Sequence, residues 1–290
     1  MSAIYERTPW TPYRRHWRLP SGKTLELGHR TLIMGILNVT PDSFSDGGRY
    51  LAVDAAVAHA KRMVEEGADV IDVGGESTRP GSRPVSAEEE MARVLPVIER
   101  LSREVDVPIS IDTYKAEVAR RAVAAGADIV NDVWGFKKDP DMAAAVAHLQ
   151  CPAVLMHNRS EPVYRDFVRE VLEDLIECVK LAREAGVPED LLILDPGIGF
   201  GKTYAHNVEL MGRLTDIVRL GFPVLLGTSR KSMIRLTLDL PADDVVEGTG
   251  ATVAFGIAQG CQIVRVHDVK EMKRVAVMTD AMVYGPGQTA

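Results

Sequence analysis

One stretch constrains the fold more than any other: Leu191-Leu192-Ile193-Leu194-Asp195-Pro196-Gly197-Ile198-Gly199-Phe200-Gly201-Lys202-Thr203. Four aliphatic residues in a row suit a strand buried on both faces. The carboxylate, proline and glycines that follow end it at once. The same order, an apolar run and then a polar tip, recurs at Thr31 to Asn38, Val70 to Glu76, Pro108 to Asp112, Ile129 to Asp132, Ala153 to His157, Val224 to Thr228 and Ile263 to His267. Helix-period segments separate most of these runs, and alternating strands and helices pair in parallel through right-handed crossovers. Eight such units predict an α/β fold, a (β/α)8 TIM barrel, with the polar tips gathered on one face.

At 290 residues the chain has room for one such barrel, typically about 250 residues, and a short extension. Residues 1–30 are expected to form that extension: Leu19-Pro20-Ser21-Gly22-Lys23-Thr24-Leu25 reads as a hairpin with a Ser-Gly turn covering one barrel end. Residues 31–285 form the barrel. A formal net charge of −7 argues against generic binding to nucleic acid or an anionic membrane, so any bound anion must be held by local groups. The basic, aromatic start (Arg7, Trp10, Tyr13, Arg14, Arg15, Trp17, Arg18) has no apolar segment of a signal peptide behind it, and no apolar run approaches the ~20 residues of a membrane span. Cys151, Cys178 and Cys261 are too scattered for a disulfide framework or a CxxC pair, which leaves buried thiols and a cytoplasmic location.

Helices are expected over 53–66, from the capping signature Ser86-Ala87-Glu88-Glu89, over 115–125, after Asp139-Pro140, over 163–185, over 207–220, in two pieces broken near Pro241, and after His267 to Tyr284. Two loops, 38–48 and 74–84, are long for βα connections. On the active face such loops act as lids or binding loops.

The strand tips carry the chemistry: Asn38, Glu76, Asp112, Asn131, Asp195, Ser229 to Ser232, Arg265 and His267. Asp and Asn side chains fixed on strands three, four and six offer acceptors and donors that can read the edge of a planar heterocycle, although an Asp at a strand end also serves as a helix cap. Arg265 and His267 share a face of strand eight, because side chains alternate with period two. A guanidinium beside an imidazole makes a phosphate or diphosphate clamp, unless Arg265 is consumed by pairing with Asp268 or Asp243. Lys231, flanked by serines, can donate to a carbonyl or an anion. Gly201-Lys202-Thr203 falls short of a phosphate loop, since Pro196 stands where that motif needs glycine. His157 and His267 lack partners at metal-ligand spacing, but a Mg²⁺ bridging a diphosphate needs few protein oxygens, for which Asn38 or Asp46 would serve.

Seven segments together resemble the dihydropteroate synthase family: Met34 to Gly48, Asp72 to Gly81, Ser110 to Thr113, Asn131 to Val133, Asp195 to Thr203, Ser229 to Ser232 and Arg265 to Asp268. The resemblance covers about residues 31 to 285, in family order. It implies condensation of 6-hydroxymethyl-7,8-dihydropterin diphosphate with 4-aminobenzoate by an SN1-like mechanism, giving 7,8-dihydropteroate and diphosphate in folate biosynthesis, the step that sulfonamides inhibit. Carried over residue by residue, Asp112, Asn131, Asp195, Lys231 and Phe200 would hold the pterin, with Asp195 and Lys231 acting in catalysis. Arg265, His267 and Asn38 would hold the diphosphate, with Asn38 also on the Mg²⁺. Thr78, Pro80, Phe44 and Ser232 would border the aminobenzoate beside Phe200, and Asp46 and Arg79 would close the two loops in catalysis. A homodimer is a further implication.

The run Met156-His157-Asn158-Arg159-Ser160-Glu161-Pro162 keeps the family's histidine and proline but departs from its loop. Two other readings share the pterin acceptors. A pterin-binding methyltransferase has no use for the Arg265 and His267 clamp, and a non-catalytic pterin-binding paralogue would be separated by an assay of turnover.

Overall fold

A computed structural model of the chain describes residues 13–39, 49–76 and 83–285. Two short strands, β1 (Arg15–Arg18) and β2 (Thr24–Leu27), form an antiparallel hairpin with Trp17 opposite Leu25. Eight parallel strands follow: β3 (Leu32–Asn38), β4 (Val70–Gly74), β5 (Ile109–Asp112), β6 (Ile129–Asp132), β7 (Ala153–Met156), β8 (Leu192–Asp195), β9 (Leu225–Leu226) and β10 (Ile263–Val266). Their order, β8-β7-β6-β5-β4-β3-β10-β9, runs once around a ring. A parallel bridge between Leu194 and Val224 brings β8 back to β9 and nearly closes the barrel.

The connecting helices are α1 (Arg49–Glu65), α2 (Ala87–Glu104), α3 (Ala116–Ala124), α4 (Met142–Leu149), α5 (Phe167–Glu184), α6 (Tyr204–Met211), α7 (Leu214–Val218), α8 (Ser232–Leu238), α9 (Val246–Ala258) and α10 (Val269–Tyr284). Ser86 caps α2 as its sequence signature predicts, its hydroxyl accepting from Glu89 N. Two helix expectations and one strand expectation change. The expected helix from 163 starts at Phe167, because Glu170 Oε1 accepts from the amides of Arg165 and Asp166 (2.7 and 2.9 Å) and holds that segment as a cap. The expected helix over 207–220 starts earlier, at Tyr204 behind a capping box of Thr203 and His206, and is interrupted at Gly212-Arg213 into α6 and α7. The seventh barrel strand shrinks to two residues.

Because strand side chains alternate, every barrel strand but β5, whose inward residues are polar, feeds two apolar clusters. Residues such as Ile33, Ile71, Ile111, Val130, Leu155, Leu194, Leu226 and Val264 pack outward against the helices. Leu32, Met34, Val70, Ile129, Val154, Ile193, Leu225 and Ile263 fill the inside, and Trp17, Leu19, Leu25 and Leu27 of the hairpin complete that inner cluster from one end. The Trp17 indole also donates to Asp190 O at 2.8 Å. The hairpin therefore plugs the barrel floor, as its sequence suggests.

Truncating Trp17 to Ala removes the centre of that plug. By the usual cost of deleting a buried aromatic, it should lower unfolding free energy by about 3–5 kcal/mol in chemical denaturation. A loss below about 1 kcal/mol would mean that the hairpin merely rests on the barrel.

Candidate active site

Moving up the barrel interior by one strand repeat, the apolar layer gives way to a polar one. Above Val70 comes Asp72, above Ile129 Asn131, above Ile193 Asp195, above Leu225 Gly227 and above Ile263 Arg265, while β5 contributes Ser110 and Asp112. Charge in such a setting must be paired. Arg265 Nε lies 2.6 Å from Asp72 Oδ2 and Arg265 Nη2 2.6 Å from Asp112 Oδ2. Asn131 Nδ2 donates to the same Asp72 oxygen at 3.1 Å. The pairing anticipated for Arg265 with Asp268 or Asp243 is not what the structure shows. Asp268 is instead held by Arg230, at 2.6 and 3.2 Å.

Asp72 was not among the residues expected at the site. It lies mid-strand within Val70-Ile71-Asp72-Val73-Gly74, fully buried, and one of its oxygens, Oδ1, has no hydrogen-bond partner. A buried carboxylate oxygen without a partner is an acceptor still unmet. The lone acid in an otherwise aliphatic strand was the available signal.

Asp195 closes the other side. Its Oδ1 accepts from Gly197 N at 2.7 Å, and a side chain at Gly227 would come within 3.9 Å of both Asp195 Oδ2 and Arg265 Cβ, so the glycine leaves open space between the two. Burial pushes the Asp195 carboxyl above its ordinary value, opposed by the Gly197 amide and by Lys231, Arg265 and Lys202. Burial likewise raises Asp112 against the pull of Arg265, with Asp72 adding to the rise. Lys231 shifts the opposite way: burial and then Arg265 lower it, offset by Asp195 and Asp112. Its ammonium sits 4.0 Å from the centroid of the Phe200 ring. Lys231 thus lies over an aromatic face and within the field of both acids.

The glycine loop that carries Phe200 is bent by three left-handed glycines, Gly197 (φ 67°), Gly199 (φ 85°) and Gly201 (φ 54°). A Cβ on Gly197 would fall 1.9 Å from His157 O, and one on Gly201 2.5 Å from Arg159 O, so the loop lies directly on the segment after β7. Lys202, weakly suggestive of a phosphate loop in sequence, turns inward instead. Its ammonium contacts His157 Nδ1 (2.7 Å), Gly197 O (2.9 Å) and Phe200 O (3.0 Å). His157 Nε2 meets Asp174 Oδ2 at 3.0 Å, and Arg159 Nε reaches that oxygen at 2.6 Å.

The remaining expected residues are placed less centrally. Asn38 is half-buried at the end of β3, and His267 Nδ1 lies 2.9 Å from Ser229 Oγ. Ser232 is exposed at the start of α8. Glu76 is bound at the rim by Lys115, whose ammonium also reaches buried Glu90 at 2.5 Å. Phe44, Asp46, Thr78, Arg79 and Pro80 lie outside the described residues. Among the described residues no group of three or more His, Cys, Asp or Glu could hold a metal ion, and no helix is long and apolar enough to cross a membrane.

A family model described as pterin binding enzyme matches residues 34–267, from within β3 to just past β10. Dihydropteroate synthase from Bacillus subtilis is 59% identical over 258 residues, 89% of this chain and 90% of the relative. The chain belongs to the dihydropteroate synthase family. Two solved members have the same architecture. The Clostridium difficile dihydropteroate synthase crystallised in the presence of pteroic acid superposes with a TM-score of 0.87 at 49% identity, covering 89% of this chain and 98% of its own. The Xanthomonas albilineans dihydropteroate synthase with 4-aminobenzoic acid gives a TM-score of 0.89 at 46% identity, covering 95% and 100%. The fold expected from the strand pattern is thus that of the family.

Replacing Asp72 by Ala takes one carboxylate from a buried cation. Because breaking a buried pair from one side leaves charge uncompensated, stability should fall by about 3–5 kcal/mol in urea denaturation. A neutral result would show that Asp112 alone suffices for Arg265.

Proposed function

We propose that this chain condenses 6-hydroxymethyl-7,8-dihydropterin diphosphate with 4-aminobenzoate in folate biosynthesis, releasing diphosphate and forming 7,8-dihydropteroate. The observation that carries this is the ring of Asp112, Asn131, Asp195 and Lys231 above an apolar floor, within a chain of this family. Asp112, Asn131 and Asp195 accept from and donate to the edge of the pterin, Lys231 donates to its carbonyl, and Phe200 forms one wall. As the methylene C–O bond breaks, its electron pair leaves with the diphosphate. Positive charge that develops on the pterin methylene is stabilised by the fixed carboxylates in a dry site. The aniline nitrogen then forms the new C–N bond and loses a proton to solvent, so no strong protein base is required.

Two donors of Arg265 are already committed to Asp72 and Asp112. We therefore assign it a double role: neutralising the pterin-facing acids and presenting its remaining edge to the diphosphate beside His267 and Asn38. Thr78, Pro80, Phe44 and Ser232 border the aminobenzoate in this reading, and Asp46 and Arg79 close the loops. The oxygen donors near β3 suit a Mg²⁺ held chiefly by substrate phosphates and water, with Asn38 as a protein oxygen. When bound, that ion would neutralise charge on the departing diphosphate. Residues 31–285 act as the catalytic barrel and 1–30 as an extension. The three cysteines, buried and unpaired, support a reducing cytoplasm.

A homodimer through the last helices is supported by Phe255 on α9 and Met278 and Met282 on α10, which are 51%, 60% and 66% exposed. Met278→Glu should convert the protein from dimer to monomer in sedimentation equilibrium. An unchanged mass would rule out this face as the contact.

With Mg²⁺ present, diphosphate release should depend on 4-aminobenzoate and be matched by dihydropteroate. Pterin binding without product would favour a non-catalytic paralogue. Because the raised carboxyl of Asp195 keeps its proton to higher pH, kcat/KM should begin to fall on acidification above the ordinary Asp range of about 4. The lowered Lys231 ammonium brings the alkaline loss below the ordinary Lys value of about 10.4. A plateau from pH 4 to 10 would contradict both assignments.

A further inference from the structure

The chain Lys202, His157, Asp174 and Arg159, half-buried around a fully buried imidazole, takes no direct part in the chemistry above, yet it is built at a cost. Taking an ammonium out of water is unfavourable unless every donor is met, and Lys202 meets this requirement with Gly197 O, Phe200 O and His157 Nδ1. An ammonium has no lone pair, so His157 Nδ1 must accept and Nε2 must carry the proton donated to Asp174. Burial lowers His157 to about 4 and Lys202 to about 7, the former opposed chiefly by Asp174 and the latter by Asp195. The imidazole is therefore a neutral spacer, and Asp174, fixed also by Arg159, is the counter-charge at the far end.

We propose that Lys202 is a positioning residue for the reaction: by pinning the Gly197 and Phe200 carbonyls from beneath, it fixes the glycine loop so that Asp195 and the Phe200 ring face the pterin together. The two pinned carbonyls bracket the part of the loop between the acid and the ring. Gly197 also supplies the amide that holds Asp195 Oδ1. The same ammonium is one of the cations, with Lys231 and Arg265, that favour the Asp195 carboxylate. His157 from the end of β7, Asp174 from α5 and Lys137 after β6 are the other charged or titratable groups facing Lys202.

This rests on the proposed synthase activity, so turnover and binding are measured separately. Lys202→Met removes charge and donors; Lys202→Gln keeps two N–H donors for the carbonyls but no charge; Asp174→Asn weakens the far anchor. In Lys202→Met, KM for the pterin diphosphate should rise about tenfold or more, the scale of losing a charge-assisted hydrogen bond, and the acidic limb of kcat/KM should move to higher pH. Lys202→Gln should recover most of the KM while keeping the shifted limb. Asp174→Asn should change KM in the same direction by less. If Lys202→Met does not fold, the glutamine limb shift and the Asp174 effect decide the matter. Pterin KM and acidic limb unchanged in the folded fraction, with only thermal stability lost, would overturn the proposal. Should the wild type lack turnover, the synthase reading fails, and calorimetric binding of 6-hydroxymethyl-7,8-dihydropterin replaces KM: weakened binding in Lys202→Met with recovery in Lys202→Gln supports the positioning role, and equal binding in all variants overturns it.

Discussion

Inside the barrel a single guanidinium bridges two carboxylates that arrive from different strands, Arg265 of β10 to Asp72 of β4 and Asp112 of β5. A barrel interior is ordinarily filled with side chains in layers, and here the lower layer is apolar and sealed by the Trp17 hairpin. Acids in the layer above could not remain ionised over such a floor without a cation among them. With Arg265 in place, Asp72 keeps an unpartnered oxygen. The polar face of the pocket is a consequence of that pairing.

The opposite wall is held by a different device. Gly197 and Gly201 let the loop after β8 lie against the backbone of His157 and Arg159, where no side chain would fit, and Gly199 leaves room for the Lys231 side chain. Lys202 then ties the loop's carbonyls to the polar chain that ends at Asp174. Arg159, from the segment after β7, braces the far end of that chain through Asp174 and Glu170.

The strands were legible because each is an aliphatic run that ends in a polar or glycine tip, and β10, β8 and β5 begin and end within two residues of where the pattern puts them. Helix ends were less so. The start of α5 depends on Glu170 capturing two upstream amides, and the break between α6 and α7 falls at a Gly212 that interrupts no hydrophobic period. In the site, Asp112, Asn131 and Asp195 could be picked out as tips, since alternation fixes which way they point. The partners of Arg265 could not, because they are 193 and 153 residues away in sequence and only closure of the ring brings them near. Asp72 was hidden inside an apolar strand, and Lys202 next to a glycine run suggested phosphate when its ammonium faces the protein.

If Arg265 is the charge on which the pocket depends, its loss must damage more than diphosphate recognition. The most direct measurement is calorimetric binding of bare 6-hydroxymethyl-7,8-dihydropterin, which carries no phosphate, to the folded Arg265→Ala variant beside the wild type. Binding at least about tenfold weaker is expected, since Asp72 and Asp112 lose the cation they share and Asp112, already raised by burial, loses its main opposing charge. Unchanged affinity for the bare pterin, with only the diphosphate ester weakened, would contradict it and reduce Arg265 to a phosphate clamp.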